Sequence, residues 1–177
     1  SFKGGIMCKI LETERLIIRK LSQNDFDDLA IMLKDVDVMY AWEHGFSDEE
    51  VQEWLNNNIK RYEETGMGYF AAINKETGKL VGQIGLVLSV INLESRVTLG
   101  YIMKKEFWNM GYAYEGARAL IDFTFNVLGE KKVIADIRPE NINSVNLAKK
   151  LGMVKVSEFI KVYKGKEMVH DVYEIYM

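Results

Sequence analysis

A change of period at Gly111 limits what this chain can become. Residues 96–103 read as a strand crossing Gly100, and a glycine inside a strand marks a bulge or a close backbone approach. Beyond Gly111, residues Ala113, Ala117, Leu120, Thr124 and Val127 fall on one helical face, and Gly129 supplies a stop. A strand that runs through a short loop into a helix leaves unpaired N–H groups at the helix start, where the dipole adds partial positive charge. Such an end suits a pyrophosphate, although a tight turn into a helix would need the same glycine. Neither G-x-x-x-x-G-K-[ST] nor a G-x-G-x-x-G after a strand is present, so a generic nucleotide fold is the weaker reading.

The flanking segments set the architecture. Arg15, Leu16, Ile17, Ile18 and Arg19 read as a first strand. Ser22 with Asp25 marks a helix start, and Phe26, Leu29, Ala30 and Leu33 follow at helical spacing. Ser47 and Glu50 form a capping box ahead of an apolar face of Val51, Trp54, Leu55, Ile59 and Tyr62. Residues 69–73 and 80–90 read as a hairpin around the turn at 74–79. Residues 132–137 form a short strand, ended by Arg138 and the only proline, Pro139. Asn141 caps a short helix that Gly152 closes, and two strands joined near Lys164, Gly165 and Lys166 complete the chain. Hairpins this frequent exclude a doubly wound sheet. They imply an α/β domain with a mixed, mostly antiparallel sheet of six to seven strands flanked by helices. The 177 residues suit one domain, read as 7–177, and the six residues ahead of Met7 are set aside as an expression remnant.

Charge and composition exclude several functions. A balance of 23 Lys and Arg against 26 Asp and Glu, net -3, is the reverse of what a phosphate-neutralising protein carries. A ribosome- or RNA-associated factor would need a clustered basic face, so nucleic acid is not an expected partner. One cysteine, Cys8, allows no internal disulfide, and two histidines, His44 and His170, show no metal-ligand spacing. The most apolar stretch, 80–93, is interrupted by Gly82, Gln83, Gly85, Ser89 and Asn92 and is too short to span a bilayer. No membrane role is expected, and a cytoplasmic setting is.

Two segments carry information beyond the fold: Gly100-Tyr101 followed by Trp108-Asn109-Met110-Gly111-Tyr112-Ala113-Tyr114-Glu115-Gly116, and Asn141, Ser144 and Gly152 downstream. Together they resemble the GNAT family of acetyltransferases, and within it the branch that includes the ribosomal-protein alanine and serine N-acetyltransferases. That branch shows a Gly-Tyr strand, then Trp-Gly-x-Gly-Tyr-Ala-x-Glu-Ala, then Asn-x-x-Ser-x-x-x-x-x-x-x-Gly-Phe at similar spacing. Glu14-Arg15-Leu16-Ile17-Ile18-Arg19 also resembles the family's first strand, so the likeness spans nearly the whole chain. Three positions depart from the pattern. Asn109 stands for glycine, Met153 for phenylalanine and Gly116 for alanine. The last costs a helix about 1 kcal/mol, which close packing would have to offset.

The resemblance implies an acetyl-CoA-dependent N-acetyltransferase that works by direct attack of an amine on the thioester in a ternary complex. It places the cofactor arm against Tyr101, Ile102 and Met103 through their backbone, and the pyrophosphate on Trp108, Asn109, Met110, Gly111, Tyr112 and Ala113. Asn141 and Ser144 would contact the arm. Many relatives carry an acidic tyrosine four residues after Ser144; here that position is Ala148, so Ser144 is the candidate acid for the leaving thiolate, with helix capping as its other reading. Candidate bases are Glu94, just before the central strand and otherwise a solvated turn residue, and His44, in the segment that forms the acceptor wall in relatives. Tyr40 and Trp42 are candidates for lining the acceptor cleft, and Lys104, Lys105, Lys149 and Lys150 for screening phosphate. The expected acceptor is a primary amine: a protein N-terminal α-amine by family branch, or a small molecule such as a polyamine or aminoglycoside. A non-catalytic acyl-CoA sensor is the alternative. The tyrosine-rich final strands, with Tyr163, Tyr173 and Tyr176, would serve a homodimer as readily as a core.

Overall fold

The computed structural model describes residues 8–91 and 93–177. Eight strands form one sheet: β1 (Lys9–Glu12), β2 (Leu16–Lys20), β3 (Tyr69–Asn74), β4 (Leu80–Ile91), β5 (Glu94–Met103), β6 (Lys132–Ile137), β7 (Val154–Tyr163) and β8 (Lys166–Tyr176). Four α-helices flank it: α1 (Phe26–Leu33), α2 (Asp48–Thr65), α3 (Tyr112–Asn126) and α4 (Ile142–Lys150). The strand order is β1-β2-β3-β4-β5-β6-β8-β7. All neighbours are antiparallel except β5 and β6, which follow one another through α3. The mixed sheet of the sequence reading is therefore present, with one strand more than its six to seven. The extra strand is β1, whose four residues bury no side chain fully and so leave no clear alternation. Residues 1–6, set aside as a remnant, lie outside the described residues.

Alternation along β4 separates the two helical layers. Gln83 and Ile84 point to opposite faces. Gln83, fully buried, accepts a hydrogen bond from the indole N–H of Trp54 on α2 at 2.9 Å. A Cβ on Gly116 of α3 would run into Cδ1 of Ile84, so α3 lies on the other face. Tyr101, opposite Ile84 in the β4–β5 register, reaches α4 from that same face by donating its hydroxyl hydrogen to the Ser144 carbonyl at 3.0 Å. The core between these layers is built on Leu16, Ile18, Ile84, Leu86, Leu120 and Ile121, none with measurable exposure.

The caps fall where the sequence puts them. Ser47 Oγ accepts from the Glu50 N–H at 3.2 Å while Glu50 accepts from the Ser47 N–H at 3.1 Å, and Gly66 ends α2 in the left-handed conformation at φ 76°. Asp25 accepts from the Ser22 N–H at 2.8 Å and pairs with Arg19 at 2.9 Å ahead of α1. No helix among the described residues is long and apolar enough to cross a membrane.

Candidate active site

The site begins where two parallel strands part. β5 pairs with β4 from Glu94 to Met103, but toward β6 it makes one bridge, Thr98 opposite Ile134. Both strands continue to Met103 and Ile137 with no further pairing between them among the described residues. Backbone groups left free in this way, on the inner side of a sheet, are available to a ligand that enters the gap.

Two cavities meet there. The larger, of about 910 Å³, runs from Tyr101, Ile102 and Met103 to the starts of α3 and α4. The smaller, of about 240 Å³, lies against Tyr69, Gly100, Asp136 and His170. They share Ala41, Trp42, Tyr101, Asn141 and Ser144 as common wall.

The larger cavity has the features of an anion site at one end. Gly111 is the N-cap of α3 at φ 80° and offers no side-chain cap, so the first N–H groups of the helix lack partners. Asn109 is also left-handed, at φ 60°, a conformation that glycine and asparagine tolerate best, which accounts for asparagine at a position where glycine is usual. Both line the cavity with Trp108, Tyr112 and Ala113. The loop is clamped from behind. Arg15 donates Nη1 to the Met110 carbonyl at 2.9 Å and Nε to Glu115 at 2.7 Å, and its guanidinium lies 4.3 Å from the centre of the Tyr112 ring. Glu115 also accepts from the Thr13 hydroxyl at 2.5 Å and the Arg15 N–H at 2.9 Å. Burial works to raise the Glu115 pKa, but these bonds hold it below the usual carboxylate value. The Trp108 indole N–H donates to the Met103 carbonyl at 3.0 Å and ties the loop to the end of β5.

Met110 differs from its expected place. Its side chain is exposed and does not line the cavity; only its carbonyl is used, and that faces Arg15. The lysines divide as well. Lys150 lines the cavity, lying 4.4 Å from the centre of the Tyr114 ring, and so does Lys105, which pairs with Asp37 at 2.6 Å, whereas Lys104 is buried against Asp28 at 2.7 Å and neither it nor Lys149 lines the cavity.

Asn141 and Ser144 stand together at the start of α4. The Asn141 side-chain oxygen accepts from the Ser144 N–H at 3.3 Å, and its amide nitrogen has no partner among the described residues. Ser144 lines both cavities, and its hydroxyl has no protein partner among the described residues. Ala148, four residues after Ser144, is fully buried.

The two candidate bases lie elsewhere. Glu94 opens β5, seven residues from Tyr101 and therefore about 23 Å away along an extended strand. It is exposed, pairs with Lys132 at 3.6 Å and lines neither cavity. His44 lies beside the acceptor segment but outside both cavities. Its Nδ1 is 3.0 Å from the Trp42 carbonyl, which can only accept, so that nitrogen carries hydrogen. Its Nε2 is 3.0 Å from Glu50 and 3.2 Å from Lys164. The hydrogen bond to the Glu50 carboxylate raises its pKa, while His44 in turn holds Glu50 down to about 2. A histidine engaged at both nitrogens does not serve as a free base.

Tyr40 and Trp42 do line the larger cavity, and Trp42 the smaller. Of the tyrosines on the final strands, Tyr173 is buried, Tyr176 is exposed and Tyr163 lines the smaller cavity.

Tyr69, Asp136 and His170 line the smaller cavity without belonging to any sequence motif. Tyr69, Gly85 and Gly100 form one row across β3, β4 and β5. A Cβ on Gly85 would sit 2.7 Å from the Tyr69 ring, and one on Gly100 would overlap its hydroxyl, so the two glycines let the ring lie across both strands. Trp54 packs on it at 4.8 Å between centroids, and Asn58 accepts its N–H at 2.8 Å. Burial pushes the Tyr69 and Tyr101 hydroxyls up to about 12, so both remain protonated at neutral pH. Asp136 and His170 are the other two. Cross-strand pairing brings them together, and their separation in sequence hides it.

The family model for the acetyltransferase (GNAT) domain matches residues 15–154. Among named relatives, the YkkB protein of Bacillus subtilis strain 168 is 34 % identical over 145 residues, 81 % of this chain and 84 % of the relative. The N-acetyltransferase YnaD of the same organism is 30 % identical over 165 residues, 92 % and 94 % of the two chains. The crystal structure of a GNAT-family acetyltransferase from Bacillus anthracis superposes with a TM-score of 0.81 at 27 % identity, over 94 % of this chain and 97 % of that one. With parted strands, an uncapped helix start and a family match over most of its length, the chain belongs to the GNAT family of acetyltransferases.

Proposed function

We propose that this acetyltransferase moves an acetyl group from acetyl-CoA to a primary amine by direct attack, with both substrates bound at once. The observation that carries the reading is the shared wall. One cavity ends in anion-binding helix geometry, the other is lined by groups that hold or move protons, and they meet at Tyr101, Asn141 and Ser144. Acetyl-CoA supplies the activated acetyl thioester. The start of α3 and the loop of Asn109 and Gly111 would hold its pyrophosphate, and Lys150 would add positive charge. The end of β5, residues 101–103, paired with β4 but not with β6, would offer the backbone groups on its β6 side to the amide-bearing arm, as a neighbouring strand would. The amide nitrogen of Asn141 can donate to the same arm. Ser144 stands where a proton can be delivered to the departing sulfur. A free thiol titrates near 8.5, so the help required of Ser144 is modest.

The smaller cavity suits a small amine or the first residue of a peptide. A protein N-terminal α-amine remains the favoured acceptor on family branch, with polyamines and aminoglycosides as the small-molecule alternatives. The test is release of free thiol from acetyl-CoA against a panel of N-terminal peptides, polyamines and aminoglycosides, with the acetylated product identified by mass. Turnover of at least one amine, reduced in Ser144→Ala, is expected. Saturable acetyl-CoA binding with no thiol release from any amine would favour a sensor instead, and full turnover in Ser144→Ala would remove that hydroxyl from the mechanism.

A further inference from the structure

With Glu94 and His44 both outside the cleft, the proton of the attacking amine needs another acceptor. The titratable groups lining the smaller cavity are Tyr69, Tyr101, Tyr163, Arg138, Lys161, Asp136 and His170. The three tyrosines are pushed up by burial, and the guanidinium and ammonium present donors only. That leaves Asp136 and His170.

The fold sets these two side by side. The β6–β8 ladder pairs Asp136 with Val172 and ends at Ile137 opposite Asp171. His170, two residues before Val172, points to the same face as Asp136, as a diagonal neighbour about 7–8 Å away in backbone terms. Its direct partner on the other side is Phe159 of β7, whose ring lies 5.4 Å away between centroids and backs the imidazole. Nδ1 is buried and has no hydrogen-bond partner among the described residues, so the ring is not committed to the sheet in the way that Trp42 and Glu50 commit His44.

We infer that His170 is the general base of this enzyme, taking the proton from the acceptor amine through Nε2, with Asp136 beside it to favour the imidazolium that results. The inference rests on the transfer reading above. His170 accepts the N–H proton as the nitrogen forms its bond to the acetyl carbon. The pair of the C–S bond leaves on sulfur, which is protonated by water or by Ser144, the latter regaining its proton from solvent, and His170 returns its proton to solvent. The groups facing the ring are Lys161 from β7, Asp136 and Arg138 from β6, and Glu140 beyond it. Burial, aided by Lys161 and Arg138, lowers the His170 pKa from its ordinary 6.5 against the pull of Asp136 and Glu140. The imidazole is therefore neutral, with a lone pair to use, at neutral pH.

The test is the pH profile of kcat/KM for a reactive amine at saturating acetyl-CoA, in the wild-type chain, His170→Gln and Asp136→Asn. The wild type is expected to show an acidic limb below pH 6.5, beneath the limb set by the amine itself. His170→Gln is expected to lose that limb and fall about 100- to 10,000-fold, the usual worth of a positioned base, while its circular dichroism and acetyl-CoA affinity stay unchanged. Asp136→Asn removes a charge that favours imidazolium, so its limb should move to lower pH; a limb that stays in place or moves up overturns the pairing. Wild-type turnover with an unaltered profile in His170→Gln overturns the assignment alone. No turnover in the wild type overturns the transfer reading, and this inference with it.

Discussion

Gly116 lies in the first turns of α3, the helix whose start is the proposed anion site, and replacing it with alanine tests how tightly that helix must seat. On an isolated helix the change gains about 1 kcal/mol. In this protein an ideal Cβ would overlap Cδ1 of Ile84 and lie 3.6 Å from Cδ1 of Leu16, and both of those side chains are fully buried. Overpacking of this kind costs about 1–3 kcal/mol. The cost exceeds the helical gain, so Gly116→Ala should be destabilised by about 1 kcal/mol, or roughly 2–4 °C in a domain of this size. Ile84→Val removes the offending methyl group. Alone it should cost about 0.5–1.5 kcal/mol. Combined with Gly116→Ala the new methyl group occupies the space released, and the double variant should recover to near wild-type stability. Urea unfolding followed by fluorescence of Trp42, Trp54 and Trp108 measures the cycle, and a coupling of about 1–2 kcal/mol is expected. A Gly116→Ala variant more stable by the full helical gain, with additive double-variant energies, would refute the close-packing account.

Other expectations follow from the same contacts. Gly100→Ala should be destabilised by about 1–3 kcal/mol through overlap with the Tyr69 hydroxyl, and Tyr69→Phe in that background should restore part of the loss; thermal melts of the three variants check it. His44→Gln and Glu94→Gln should each keep the pH profile of turnover, because neither side chain reaches the cleft; a lost limb in either would return it to the mechanism. Glu115, held below its usual pKa, stabilises the fold above the unfolded value near 4.5, and this contribution disappears as pH falls through the lower folded value. The stability difference between wild type and Glu115→Gln should therefore be constant near neutrality and shrink in acid, as urea unfolding at several pH values would show.

Local signals account for what the sequence disclosed. The Ser47–Glu50 box, the turn at Gly111 and the helical spacing after it involve residues within a few positions of one another, and each appears as read. The loop ahead of α3 was legible for the same reason, but the bond from Arg15 to the Met110 carbonyl comes from ninety-five residues away and was not. Partners beyond local range were not legible. Glu94 precedes the central strand in sequence, yet β5 extends it away from the opening. His44 has the right chemistry, and only the fold shows Glu50 and Lys164 closing on its ring. Asp136 and His170 belong to strands that pair across α4 and β7, so no spacing pattern links them.

The central claim is that the parting of β5 from β6, with the uncapped start of α3, forms an acetyl-CoA site. Calorimetric titration of the purified chain with acetyl-CoA tests it most directly, beside a Gly111→Val variant. That variant puts a branched side chain at φ 80° with its Cβ 3.3 Å from Arg15 Nη2. Saturable binding to one site by the wild type, lost in a Gly111→Val chain that keeps its circular dichroism, is the expected result. No binding by the wild type, or equal affinity in the folded variant, would contradict the account.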